Sequence, residues 1–245
     1  MLNIYKTKAM EKLNKQDQEY NPNLKQHGIH LFKHHLMSGG TGLGKTNAVI
    51  NLILTLQGCF NQIQIYTSDP TEKLYLMLKN KLKDKLIIDE IQNIPPYREQ
   101  KTAGQQLLVI DDFIEMPKSV MTKIEEYSTQ SRKKLFTCCF LTQSYFKCPK
   151  KIREQIRYIN LLKSGDKRNL NLIISSLDTD IDPKTIKKCI KNATHEALNI
   201  CSIDLQQRDI NKTIRRNFGN DFYVFEDSKG NHIQPEMFFA SGIIN

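Results

Sequence analysis

The stretch Gly39-Gly40-Thr41-Gly42-Leu43-Gly44-Lys45-Thr46 decides the reading of this chain. It has the form G-x-x-x-x-G-K-[S/T], the signature of a phosphate-binding P-loop. Glycines let successive backbone N–H groups turn inward around an anion. The helix that follows aims its positive end at the same place. In that pattern Lys45 reaches the β- and γ-phosphates of a nucleotide and Thr46 ligates Mg²⁺.

The flanks agree with this. Ile29 to Met37 reads as a strand entering the loop, and Asn47 to Leu56 is apolar on nearly every side, as a buried helix is. Gly58 closes it. Further on, Gln62 to Thr67 alternates as a strand, Thr71 to Lys83 has helical periodicity, and Leu86 to Asp89 reads as a short strand. Residues 90–104 hold Pro95, Pro96 and Gly104 and read as an irregular loop. Then come strand Leu107 to Ile110, helix Lys118 to Arg132, strand Leu135 to Thr142, a short helix Pro149 to Ile156 and strand Tyr158 to Lys163. Alternating strands and helices predict an α/β fold, a mostly parallel sheet with helices on both faces.

A P-loop needs an acid at the end of a second buried strand. Leu107-Leu108-Val109-Ile110-Asp111-Asp112 supplies it. Asp111 is the expected Mg²⁺ partner and Asp112 the residue that orients the attacking water, with Glu115 as its rival. Leu86 to Glu90 has the same shape and ranks lower, because residues 71–89 would then need another role. Between Lys45 and Asp111 there is room for a strand and a helix, so the two phosphate-site strands are expected to flank another strand, as in the motor division of P-loop proteins. Gln143 ends the strand Leu135 to Thr142, where a polar side chain can sense the γ-phosphate. Asn14-Lys15-Gln16-Asp17 matches the guanine-reading N-K-x-D by letter but precedes the loop, and no D-x-x-G follows Asp111 or Asp112.

The 245 residues carry a net charge of +10, which favours a polyanionic partner. Arg98 and Lys101 with Tyr97, the lysines at 79, 81, 83 and 85, and Arg215 and Arg216 are the candidate phosphate contacts. None of the six cysteines forms a C-x-x-C pair, and Cys189, His195 and Cys201 fit no metal-ligand spacing. No apolar run reaches the roughly 18 residues of a membrane span, and the first residues lack a secretory pattern, so a soluble intracellular protein is expected. The chain divides into an arm, residues 1–28, a P-loop core, residues 29–180, and a basic extension, residues 181–245, packed on or beside the core. Within that extension Pro183 to Ala197 looks helical, Phe222 to Phe225 reads as an edge strand or hairpin, and Ser228 to Asn231 as a turn.

Four stretches, in this order, carry a resemblance: NPNLKQHGIHLFKHHLMSGGTGLGKTNAVINLIL (21–54), LLVIDD (107–112), IEEYSTQSRKK (124–134) and LTQSYFKCPKKIREQIRYINLLK (141–163). They resemble the FtsK–HerA superfamily and, within it, the genome-packaging ATPases of virophages of the Sputnik type and of large DNA viruses. The likeness covers roughly residues 20–180. It implies a RecA-like P-loop NTPase core of the additional-strand (ASCE) division. ATP with Mg²⁺ would be the fuel, double-stranded DNA the track, and a homo-oligomeric ring, pentamer or hexamer, the working form. Capsid or packaging-vertex proteins would be the partners, in the host cytoplasm or viral factory. A ring motor also needs an arginine that reaches the neighbour's γ-phosphate. Arg132, between the helix after the acids and the strand carrying Gln143, is the expected finger, and Arg153 and Arg157 are its rivals.

Overall fold

The computed structural model describes residues 20–101, 104–163, 167–177, 179, 181–226 and 232–238. Asn14-Lys15-Gln16-Asp17, with the rest of residues 1–19 of the N-terminal arm, and the turn Ser228 to Asn231 lie outside these residues.

Among the described residues, ten strands form one sheet. In chain order they are β1 (His34–Ser38), β2 (Gln62–Thr67), β3 (Leu86–Glu90), β4 (Gln106–Ile110), β5 (Phe136–Thr142), β6 (Ile156–Leu161), β7 (Cys201–Asp204), β8 (Ile214–Arg216), β9 (Phe222–Glu226) and β10 (His232–Phe238). Their spatial order is β10-β9-β8-β7-β6-β1-β5-β4-β2-β3. From β6 to β3 every pairing is parallel, and from β6 outward to β10 every pairing is antiparallel.

The helices are α1 (Leu24–His27), α2 (Lys45–Thr55), α3 (Lys73–Leu82), α4 (Lys118–Gln130), α5 (Lys150–Arg153), α6 (Lys167–Ser175) and α7 (Pro183–Ala193). One face of the sheet packs its Val109, Leu141 and Met37 against α2 and α3, through Val49, Leu52, Ile53 and Tyr75. The other packs Leu108, Ile110, Phe140 and Ile159 against α4 to α7, through Ile124, Tyr127, Ile152, Ile173 and Ile190. Every residue of β1, β4, β5 and β6 is buried. These central strands are covered on both sides, which is why β4 and β5 read as mostly apolar runs.

The strand before the phosphate loop is shorter than expected. Ile29 and Leu31 are buried, but Phe32 turns at φ +57°, and the ladder starts at His34. His34 is itself in the core. Its Nδ1 accepts from Cys138 N at 3.2 Å, and its Nε2 lies 3.1 Å from Ser128 O and 2.9 Å from Ser131 Oγ. Burial, with Arg132 nearby, lowers its pKa to about 4, so the ring is neutral at neutral pH. Residues 90–104 contain two 3₁₀ turns, Ile91–Asn93 and Tyr97–Glu99. The expected helix Lys118 to Arg132 ends at Gln130 and tightens into a 3₁₀ turn, Ser131–Lys134, that holds Arg132.

Candidate functional site

The parallel strands all end on the same side, and the P-loop leaves β1 there. Gly39 N donates to Thr142 O at 3.1 Å, which ties the loop to the end of β5. A Cβ on Gly39 would lie 2.7 Å from Leu162 Cβ, so the turn tolerates no side chain at this point. Gly44 caps α2 at φ +94°, a conformation open to glycine. Lys45 Nζ folds back onto Gly39 O at 3.1 Å and Gly40 O at 3.4 Å, the carbonyls an incoming phosphate would displace from it.

Asp111 follows β4, and β5 lies between β4 and β1. The strand between the two phosphate-site strands is therefore supplied by Phe136–Thr142. Gln62–Thr67, the strand that precedes Asp111 in sequence, pairs on the far side of β4. Asp111 is 6% exposed and accepts a hydrogen bond from Tyr75 Oη at 2.8 Å. Burial first, then the neighbouring Asp112 and Glu72, push its pKa up to about 6, against the opposing Tyr75 hydrogen bond and Lys45 charge. Asp112 is exposed, sits at φ +52°, and its Oδ2 accepts from Ser68 Oγ at 3.5 Å. A cavity of about 280 Å³ is lined by Ser68, Asp112, Glu115, Gln143 and Lys147. It holds both rival bases and the expected sensor, together with a lysine that the sequence reading passed over.

One residue at the site was missed outright. Glu72, just before α3, accepts a hydrogen bond from the hydroxyl of Thr46 at 3.2 Å. Its position in the chain, after a polar turn, gives no sign of this; only the pairing of β2 against β4 carries it toward the P-loop. Thr46, Asp111 and Glu72 offer oxygen donors alone, the donor chemistry that suits Mg²⁺ beside nucleotide phosphates.

The arginines separate. Arg157 is buried and held by Asp204, with Nε–Oδ1 and Nη2–Oδ2 both at 2.8 Å, an ion pair inside the chain that occupies its guanidinium. Arg153 donates from Nε to Cys148 O at 3.0 Å and lies over the rings of Tyr145 and Phe146. Arg132 is exposed, at the amino end of β5. β5 has seven residues, so about 20 Å of strand separates Arg132 from its own P-loop. It has no access to that site from within its own chain.

Two of the expected DNA contacts are likewise spent inside the protein. Arg215 is 4% exposed and donates to His27 O and Gly219 O, and Tyr97 is buried with its hydroxyl on Gln130 O. Arg216 pairs with Asp221 at 3.8 Å, and Lys79 donates to Leu86 O. Lys81, Lys83, Lys85, Arg98 and Lys101 remain exposed. Cys189 and Cys201 are buried core thiols, and His195 is exposed. Among the described residues, no helix is long and apolar enough to cross a membrane.

Fold and loop together define the RecA-like fold of P-loop NTPases of the additional-strand division. Neither a protein-family model nor a curated protein matches the sequence. Solved structures do share the fold. The genome-packaging NTPase B204 of Sulfolobus turreted icosahedral virus 2, solved with ATP-γS, is 14% identical, with a TM-score of 0.54 over 76% of this chain and 96% of that one. B204 of Sulfolobus Turreted Icosahedral Virus, a DNA-packaging ATPase, gives 13% and 0.51 over the same shares. The cytoplasmic domain of the Type VII secretion ATPase EccC of Thermomonospora curvata gives 12% and 0.51, over 86% of this chain and 29% of that one.

Proposed function

We propose that this chain is an Mg²⁺-dependent ATPase that moves double-stranded DNA, working as a homo-oligomeric ring that packages a viral genome into a preformed capsid. The observation that carries the reading is the convergence at one sheet end of Lys45, Thr46, Asp111, Asp112 and Gln143, with β5 inserted between the two phosphate-site strands. Two further points support it: the share of B204 that the fold covers, and the sequence resemblance to packaging ATPases of virophages and large DNA viruses.

In this reading backbone N–H groups of residues 40–46 hold the phosphates, and Lys45 leaves its two carbonyls to meet the β- and γ-oxygens. Thr46 and Asp111 would hold Mg²⁺, which when bound would supply charge neutralisation on the transferring phosphoryl group. Asp112 takes up the proton of the attacking water; Glu72, against the Thr46 hydroxyl, is the alternative base on the opposite side. Gln143 reads the presence of the γ-phosphate.

The DNA would be held elsewhere. Lys81, Lys83 and Lys85 precede β3, Arg98 and Lys101 precede β4, and Lys133 precedes β5. All six thus gather at the amino ends of the parallel strands, away from the nucleotide, where they suit the phosphate backbone of DNA. A turnover assay tests the function: ATP hydrolysis should rise with double-stranded DNA, more than with single strands, and vanish in Lys45→Ala. Turnover indifferent to any nucleic acid would overturn the translocase reading and leave the ATPase.

A further inference from the structure

The β7–β8 hairpin ends against the P-loop helix. Residues 198–200 enter β7 and residues 217–219 leave β8, and between these ends and α2 lies a cavity of about 330 Å³. That is within the range of small-ligand pockets. Asn47, Asn51, Leu198, Asn199, Asn217 and Phe218 line it.

Leu198 is out of place for a surface residue. It is 54% exposed, yet its backbone is left-handed at φ +67°, a conformation that a bulky side chain rarely adopts. It leans on the last glycine of the phosphate loop: a Cβ on Gly44 would lie 2.6 Å from Leu198 Cδ2. Strain of this kind collects at ligand clamps. The hairpin end that presents it is braced. Asn217, itself at φ +59°, donates from Nδ2 to Asn199 Oδ1 at 3.0 Å, and its Oδ1 accepts from Ile200 N at 3.1 Å. Phe218 is buried in the α2 face of the core.

The direction of the nucleotide follows from strand order. Asp111 and Gln143, which the proposed function sets at the γ-phosphate, follow strands on the β5–β4 side of β1, so the rest of the nucleotide would extend toward the β6–β7 side. The cavity is on that side, and Asn47, the residue after Thr46, opens into it.

We infer that this groove is the nucleobase site: Leu198 covers the face of the base, the amides of Asn47 and Asn51 meet its polar edge, and the antiparallel extension of the sheet serves to hold Leu198 in place. The inference rests on the P-loop reading, and the two can fail separately. Leu198→Gly removes the side chain and relieves the backbone, so the variant should fold. Calorimetric titrations of the 245-residue protein with Mg-ATP and with Mg-tripolyphosphate, which has phosphates and no base, read the result. Wild type should bind ATP more tightly than tripolyphosphate. Leu198→Gly should weaken ATP about tenfold, the loss of one apolar contact, and leave tripolyphosphate unchanged; Lys45→Ala should weaken both. Equal binding of ATP and tripolyphosphate by wild type, or an unaltered ATP affinity in Leu198→Gly, overturns the base site and leaves the P-loop. So does a loss confined to Lys191→Ala, which alters the other cavity beside the P-loop, about 270 Å³ between Gly39 and α7. Failure of wild type to bind either ligand overturns the P-loop reading and the base site with it.

Discussion

Replacing Asp111 by asparagine should make the nucleotide-free protein more stable while impairing its use of Mg²⁺. The carboxyl is 6% exposed, and no ion pair among the described residues includes it. Its pKa is raised from 3.8 to about 6, chiefly by burial. A raised carboxyl favours folding while protonated, below about pH 4. That favour is lost as pH climbs through 6, where the ionised group must be buried. A shift of about 2 units corresponds to about 3 kcal/mol. Asparagine carries no charge and can still accept from Tyr75. At pH 7.5, without nucleotide, Asp111→Asn should therefore melt higher, on the order of 5–10 °C for a domain of this size. The gap should close toward pH 4. Adding Mg²⁺ and a non-hydrolysable ATP analogue should raise the wild-type melting temperature more than that of the variant, since stabilisation by ligand follows its affinity for the folded state. Melting curves by circular dichroism across pH 4–8 measure this. Equal melting temperatures at pH 7.5, or a gap that does not shrink on acidification, would refute the picture of a buried carboxylate waiting for its cation.

Lys45→Ala should abolish turnover in a folded protein, because charge and oriented donors at the transferring phosphoryl group are the main catalytic source; wild-type rates would sink the P-loop assignment. Asp112→Asn should keep ATP binding and lose at least about 10²-fold in kcat. If Glu72→Gln or Glu115→Gln does so and Asp112→Asn does not, the base is misassigned. Arg132→Ala and Lys45→Ala proteins, each inactive alone, should regain ATPase activity when mixed, since an arginine finger contributes about 10³–10⁵ in rate at a neighbour's site. No recovery in mixed rings confirmed by native mass spectrometry removes Arg132 from that role. DNA binding should weaken steeply with salt, and the double variant Lys83→Ala, Lys85→Ala should flatten the slope of log K against log salt by about 2 if both touch phosphate; an unchanged slope counts against the amino-end face.

The parts legible in the sequence were those written in local chemistry. Gly39 to Thr46 announces its loop because glycines, lysine and threonine act through backbone they adjoin. Leu107 to Asp111 announces its strand because a covered strand must be apolar throughout. What escaped depends on contacts between distant segments. Glu72 belongs to the site through Thr46, 26 positions away, a relation set by which strand pairs with β4. The strand between β1 and β4 was expected from the room before Asp111, yet sheet order gives that place to Phe136–Thr142. Arg215 reads as a surface cation, but the hairpin of β7 and β8 turns it inward onto His27 O. Strands of three or four residues such as β7 and β8 are too short for alternation to stand out, whereas Phe222 to Phe225, apolar and aromatic, reads as a strand and is β9. The same length effect hides Leu198: a single leucine after a helix carries no signal in its own neighbourhood. Its meaning lies in a left-handed backbone and in a glycine more than 150 positions earlier that leaves it space. A sequence therefore exposes the phosphate half of a nucleotide site, where loop and helix are contiguous, far more readily than the base half, which the fold assembles from its last strands.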